Sequence, residues 1–351
     1  MAKVGTWGGP QRALSQAEQQ RFLAGRAEFD RDATVAEGLG GPRFNGDSCR
    51  ACHFGPVVGG AGPRGVNVIR HGFQDPQGRF VPPSVGTVLH RMTLIRDSVN
   101  RPQKEATIYE HRQTPHLFGL GLIEAIPAET ILAAADPKDS NGDGISGRPS
   151  WVDGGRLGRF GWKAQVPSVA EFVRDAITTE LGMTLPWSME HTFGRVHDND
   201  TVPDPEFGAT RMNNLGFYLS MLGAPPRTET EDKAQVATGE QAFMTVGCGS
   251  CHTPKFQSPL GPVRLYSDLL LHEILPAQSL GIEEAGANVR EFRTPPLWGI
   301  ARTAPYLHSG AADTLDQAIR MHDGESLGVR GAYEALPAAT RSALLSFLRS
   351  L

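Results

Sequence analysis

The chain has four cysteines, and all of them fall in two copies of one short motif. Cys49-Arg50-Ala51-Cys52-His53 is the first copy and Cys248-Gly249-Ser250-Cys251-His252 the second. Two thiols on one helical turn can each form a thioether with a vinyl group, and the histidine that follows is then held beneath a metal. C-x-x-C-H is the attachment signature of c-type haem, with His53 and His252 as proximal iron ligands. The motifs call for two covalent haems c, and the expected function is redox chemistry at iron. Other uses of paired cysteines fit less well. A thioredoxin-like pair needs a βαβ context, and neither copy has one. A zinc site would draw on both pairs, yet they stand in opposite halves and the histidine after each would go unexplained. A disulfide at this spacing would close a very small loop.

At 351 residues the chain has room for two domains, at roughly 150 residues each, which matches one haem apiece. The net charge of −4 and pI near 6.3 give no reason to expect nucleic acid or an acidic membrane surface as partner. Hydrophobic content of 39% supports a core, and the 41 glycines and 26 prolines announce long irregular loops. No apolar run is long enough for a membrane span. The first residues, Met1-Ala2-Lys3-Val4-Gly5, have no apolar leader core. Covalent haem attachment takes place outside the bacterial cytoplasm, so a periplasmic protein whose signal peptide has been removed is expected.

The elements that position the motifs look duplicated. Ser15-Gln16-Ala17-Glu18 is a capping box that opens a helix through about Asp30, with Gly25 and Phe29 on one face. A second helix, from about Thr230 to Thr245, carries Gly239 and Phe243 at the same spacing. A small residue beside an aromatic suits close crossing of a partner helix. Arg112-Gln113-Thr114-Pro115-His116-Leu117-Phe118-Gly119 is echoed by Arg293-Thr294-Pro295-Pro296-Leu297-Trp298-Gly299. Each T-P-x-L predicts extended chain before a helix, because the residue before proline avoids the helical region. Helices are predicted near 128–135, 169–181, 314–321 and 338–351, the last with Leu344, Leu345, Phe347, Leu348 and Leu351 on one face. Strand signals are limited to short runs, near 66–69 and 85–89.

With Gly38–His53, Asn141–Arg148 (NGDGISGR), Gly158–Ala164 (GRFGWKA), Tyr266–His272 (YSDLLLH) and Phe292–Glu325, these stretches make a pattern covering most of the chain. The chain resembles the bacterial di-haem c-type oxidoreductases, also labelled thiol oxidoreductases, which are related to di-haem cytochrome c peroxidases and to the methylamine-utilisation di-haem enzyme. The resemblance implies a mostly α fold of two cytochrome-c-like haem domains with long irregular loops. We divide the chain into an N-terminal haem domain (1–165), a helical and loop connecting region (166–228) that ends in a polar hinge at 228–232, and a C-terminal haem domain (229–351).

In peroxidase relatives the second iron takes a distal methionine just after the helix that follows a Y-x-H-x-G stretch. Aligned on Thr314–Ile319, His322 falls at that position and Met321 one residue earlier; histidine would give the lower potential. His308 matches a histidine near haem propionates, and Tyr306 is read as a core or propionate partner. For the first iron the relatives place a distal histidine in a segment similar to Arg70-His71-Gly72-Phe73-Gln74, which nominates His71. His90, His111 and His116 are also available, or the position is open. Glu124 is an acid in an apolar run, suited to shuttling a peroxide proton if burial raises its pKa. Gln113 could hydrogen-bond the oxidant.

Trp162 and Trp298 are candidates for electron relay between haems, and Lys163 and Arg293 for pairing with propionates. Asp139-Ser140-Asn141-Gly142-Asp143-Gly144 matches the first half of a calcium loop, with Asp139, Asn141 and Asp143 as oxygen ligands. The glutamate that should close such a loop is replaced by Ser150, and the run is also an ordinary Asx-rich turn. In relatives an inter-domain calcium uses backbone oxygens of a T-P-x-L stretch, here Thr294 and Pro296, but the usual asparagine partner is not evident near 82–84. The expectation is a periplasmic, peroxidase-like enzyme. A small-molecule oxidant meets the first haem, and the second relays electrons from a redox protein donor. The alternatives are a non-catalytic electron-transfer cytochrome and an enzyme that oxidises a protein partner.

Overall fold

The computed structural model describes residues 1–84, 86–94, 106–190, 192–229 and 231–351. Val85 and Thr230, which begin a predicted strand and a predicted helix, lie outside them. Helix covers about a third of the chain and strand about 14%, in small antiparallel sheets. Among the described residues no helix is long and apolar enough to cross a membrane.

Two helix pairs frame the two motifs. Helix α1 (Gln16–Asp30) starts at the predicted capping box, in which Ser15 Oγ takes the Glu18 amide and the Glu18 carboxylate takes the Ser15 amide. The short helices α2 (Leu120–Glu124) and α3 (Ala128–Leu132) and the longer α4 (Val169–Ala176) follow, and then α5 (Ala209–Met221) crosses α1. The crossing is tight because Gly25 has no side chain: a Cβ there would sit 2.0 Å from the Asn214 carbonyl oxygen. Phe29 packs its ring 5.6 Å from that of Tyr218 on α5. In the second half α6 (Lys233–Thr245) crosses α9 (Ala338–Ser350) in the same way. A Cβ at Gly239 would meet the Ala343 carbonyl oxygen at 2.0 Å, and Phe243 lies 5.3 Å from Phe347. Between them come α7 (Leu315–Arg320), with a Thr314/Gln317 capping box, and α8 (Leu327–Ala335).

The two T-P-x-L echoes are also equivalent in space. The Gly119 amide donates to the Leu222 carbonyl at the end of α5, and the Gly299 amide to the Leu351 carbonyl at the end of α9. Both glycines have φ near +75°, the left-handed region that glycine enters without a Cβ penalty.

Helix α5 lies in the stretch 166–228, where the Gly, Pro and Asp content had suggested a connector. It packs with α4 and α1 on the larger apolar core. A separate core gathers Phe243, Tyr266, Tyr333, Leu344 and Phe347. The largest sheet was only partly visible in sequence. Its strand Val68–Gln74 pairs with Ile108–Arg112, Phe80–Val81 and Val88–Leu89.

Candidate functional site

Each C-x-x-C-H motif folds as a hydrogen-bonded turn. The His53 amide donates to the Cys49 carbonyl at 3.0 Å and the His252 amide to the Cys248 carbonyl at 2.9 Å. All four thiols are free, and burial pushes Cys49 and Cys248 up to about 12, so these are inert thiols rather than thiolates. Each histidine ring leans on the aromatic of its own framing helix, His53 on Phe29 at 6.3 Å and His252 on Phe243 at 6.1 Å. His53 Nδ1 lies 3.2 Å from the Gly60 carbonyl oxygen and His252 Nδ1 2.9 Å from that of Tyr266. Burial lowers both rings to about 4, so they stay neutral. A neutral imidazole with Nδ1–H tied to a carbonyl keeps a lone pair on Nε2, the arrangement of metal-ligating histidines.

A cavity of about 270 Å³ lies between the second motif and the 113–118 segment. Cys248, Cys251, His252 and His322 line it, together with Arg293, Tyr306 and apolar side chains of α6, α7 and α9. His322 Nδ1 is 2.7 Å from the Ala318 carbonyl oxygen, and burial lowers its pKa. Two preset, neutral imidazoles, two free thiols and an apolar wall fit a covalently held haem, whose iron His252 and His322 would hold. Met321, the rival ligand, is 46% exposed and is absent from the lining. The Tyr306 hydroxyl donates to the Ile300 carbonyl.

The first motif has a different environment. His71 is 2% exposed; its Nδ1 is 2.9 Å from the Thr87 carbonyl oxygen, and Nε2 has no partner among the described residues. A buried, orphaned Nε2 on an anchored ring is suited to a metal. His90 is occupied through Nε2 with the Thr179 carbonyl, and His111 is exposed. Beside the two thiols stands Glu180, which sequence reading missed. It lies in a single π-helical turn, Ile177–Leu181, that continues α4. Burial raises its pKa, while Asn45 donates to it at 2.7 Å and Arg70 and Arg91 partly offset the rise. Its charge would raise the pKa of both Cys49 and Cys52, which puts it at the first motif. A π-turn inside an α-helix is often functional. No residue pattern in 177–181 announces one.

The other expected site residues take the following positions. Glu124 does not line the cavity: its Oε1 accepts the Val169 amide at the start of α4, and the Arg159 guanidinium takes its carbonyl. Gln113 does line the cavity, with Nε2 on the Gly62 carbonyl and Oε1 without a partner among the described residues. Trp162 lines it and donates to the Gln113 carbonyl, whereas Trp298 is buried behind it against Gly119. The Lys163 ammonium donates to the carbonyls of Asn288 and Val289 over the Phe292 ring. Arg293 reaches the cavity wall. The carbonyl oxygen of Thr294 already accepts from Ser267 Oγ and the Arg293 guanidinium, a poor setting for a cation, and Pro296 lies on the cavity wall. Asp139 is half-buried and Asn141 and Asp143 are exposed, and all three turn their oxygens onto the loop's own amides. These contacts make an Asx turn.

Residues 98–351 match the family model described as "Di-haem oxidoreductase, putative peroxidase". The chain belongs to the di-haem oxidoreductase family. The matched span holds the second motif, His322 and Glu180; the first motif lies before it. Haem is the cofactor such a di-haem oxidoreductase uses. Cytochrome c551 peroxidase of Pseudomonas aeruginosa is 31% identical over 103 residues, 27% of this chain and 29% of that protein. The shared stretch is therefore under a third of the peroxidase's length. Among solved structures, a MauG-like protein associated with microbial copper homeostasis aligns with TM-score 0.46 and 15% identity, over all of this chain and 94% of the other. Hydrazine synthase of Kuenenia stuttgartiensis aligns at 0.42 and 16%, over all of this chain and 96% of the other.

Proposed function

We propose that this di-haem oxidoreductase reduces peroxide or a related oxidant at its first motif, in the periplasm, with electrons from a redox protein relayed by the second. Cys49, Cys52 and His53 would hold one haem, and Cys248, Cys251, His252 and His322 the other. When bound, the haems supply one-electron chemistry at both sites and reduction of the oxidant at the first.

The reading rests on one asymmetry. The second motif faces a second anchored imidazole and an apolar wall, whereas the first has a half-buried carboxyl, Glu180, whose charge acts on both of its thiols. Burial of an ionisable group is costly unless it is paired or used. Burial raises the Glu180 pKa, which favours the protonated carboxyl, and that form can give its proton to a leaving oxygen. Asn45 holds the carboxyl in place, and Arg70 and Arg91 stabilise the anion left behind. Two electrons and two protons convert hydrogen peroxide to two waters, so a residue that moves protons is needed beside the electron supply. His71, anchored at Nδ1, would guard the site. Trp162, which donates to the Gln113 carbonyl and lines the cavity of the second motif, would offer a path for electrons.

Rapid mixing of peroxide with the half-reduced protein tests this. Glu180→Gln is expected to slow the reaction by roughly 10²–10⁴-fold with both haems retained, whereas Glu124→Gln leaves it unchanged. Equal rates in Glu180→Gln and parent would reject Glu180. No reaction in any redox state would favour an electron-transfer cytochrome.

A further inference from the structure

We propose that Asp268, His272 and Glu325 form a buried charge group that holds down the reduction potential of the second haem, and this rests on the di-haem reading above. The three side chains converge on Cys251, one of the two thiols that would carry that haem. His272 Nε2 is 2.8 Å from Asp268 Oδ2, Nδ1 is 2.5 Å from Glu325 Oε1, and the Cys251 sulfur lies 3.4 Å from the same Nδ1. His272 is 2% exposed and lines the cavity, and Asp268 is 1% exposed.

Carboxylates only accept hydrogen bonds, so a ring flanked by two of them carries a proton on each nitrogen and is an imidazolium. The geometry places one cation between two anions, leaving one net negative charge. Burial alone would lower the His272 pKa, but Asp268, and after it Cys251 and Glu325, outweigh it and lift it well above the usual range. The His272 cation in turn keeps Glu325 ionised.

The group is rigid on every side. Glu325 Oε2 accepts from Ser146 Oγ at 2.7 Å and from the Ser146 amide at 3.0 Å. These contacts tie the NGDGISGR segment to the group. Asp268 Oδ1 accepts the Leu270 amide, and the Asp268 amide donates to the Cys251 carbonyl. Asp268 also interacts with the charge of Arg293, whose guanidinium donates to the Gly161 and Thr294 carbonyls. Fixed negative charge in a low-dielectric site opposes an added electron, so these carboxylates favour the oxidised haem. His272 touches no candidate iron ligand and acts as a positioning residue.

The test is a spectroelectrochemical titration of the di-haem protein and three variants. Glu325→Gln and Asp268→Asn each remove one negative charge while keeping shape. Each is expected to raise the second haem's reduction equilibrium constant at least tenfold, about 59 mV for one electron, with the first haem unmoved. Glu325→Asp keeps the charge and should restore the parent value. Neutral variants that retain both haems and low-spin spectra at the parent potential would overturn the proposal, as would Glu325→Asp shifting as far as Glu325→Gln. A parent protein without the second haem would overturn the di-haem reading itself, and the role of this group with it.

Discussion

His252 and His322 line one cavity with the same ring nitrogen tied back, His252 Nδ1 to the Tyr266 carbonyl oxygen at 2.9 Å and His322 Nδ1 to that of Ala318 at 2.7 Å. A positive charge on His322 would oppose one on His252, which helps keep both rings neutral. Two such imidazoles suit the two axial positions of one iron.

His322→Met exchanges that imidazole for a thioether. The second haem is expected to stay low-spin and its potential to rise, because thioether ligation favours ferrous iron. Visible spectra and a redox titration check this. An unchanged potential would show that His322 is not the ligand.

The two helix crossings give a stability prediction. Gly25→Ala and Gly239→Ala each drive a Cβ to 2.0 Å from a backbone oxygen, so the helices must part. A loss of about 1–3 kcal/mol is expected for each. Gly216, also inside α5, is different: a Cβ there would point into open space, with nothing within 4 Å. Gly216→Ala should therefore gain about 0.5–1 kcal/mol. Thermal unfolding at constant haem content measures all three.

Lys163 makes stability depend on pH. It is fully buried, and burial depresses it from 10.5 to about 7. Between pH 7 and 10.5 the unfolded chain binds the proton and the folded one sheds it, so stability rises with pH across that window. Below pH 7 both states are protonated, so the slope vanishes and the cost of burying the charged amine is present in full. In Lys163→Met, urea unfolding at pH 7, 8.5 and 10 should show a smaller rise than the parent. An identical slope would mean that the folded amine titrates normally.

Much of this was legible in the chain. The C-x-x-C-H copies, the Ser15 and Thr314 caps and the Gly/Phe pairs are local signals, and each appears where the spacing put it. His322 and His71 came from a resemblance, and the structure gives both an anchored Nδ1. What was hidden depends on tertiary packing. Glu124 stands in an apolar run, but its carboxylate is used by the start of α4. Glu180 looked ordinary because a π-turn and burial against the first motif, not its neighbours in sequence, set its character. Helix α5 was masked by the Gly, Pro and Asp around it, although 209–221 itself contains no proline.

The central claim is that each motif holds its own haem. A pyridine haemochrome assay on acid-acetone-washed protein measures this directly. About two haems per chain are expected, as two motifs require, falling to about one in Cys49→Ser/Cys52→Ser and to about one in Cys248→Ser/Cys251→Ser. One haem or none in the parent protein, or no loss from either double variant, would contradict the account.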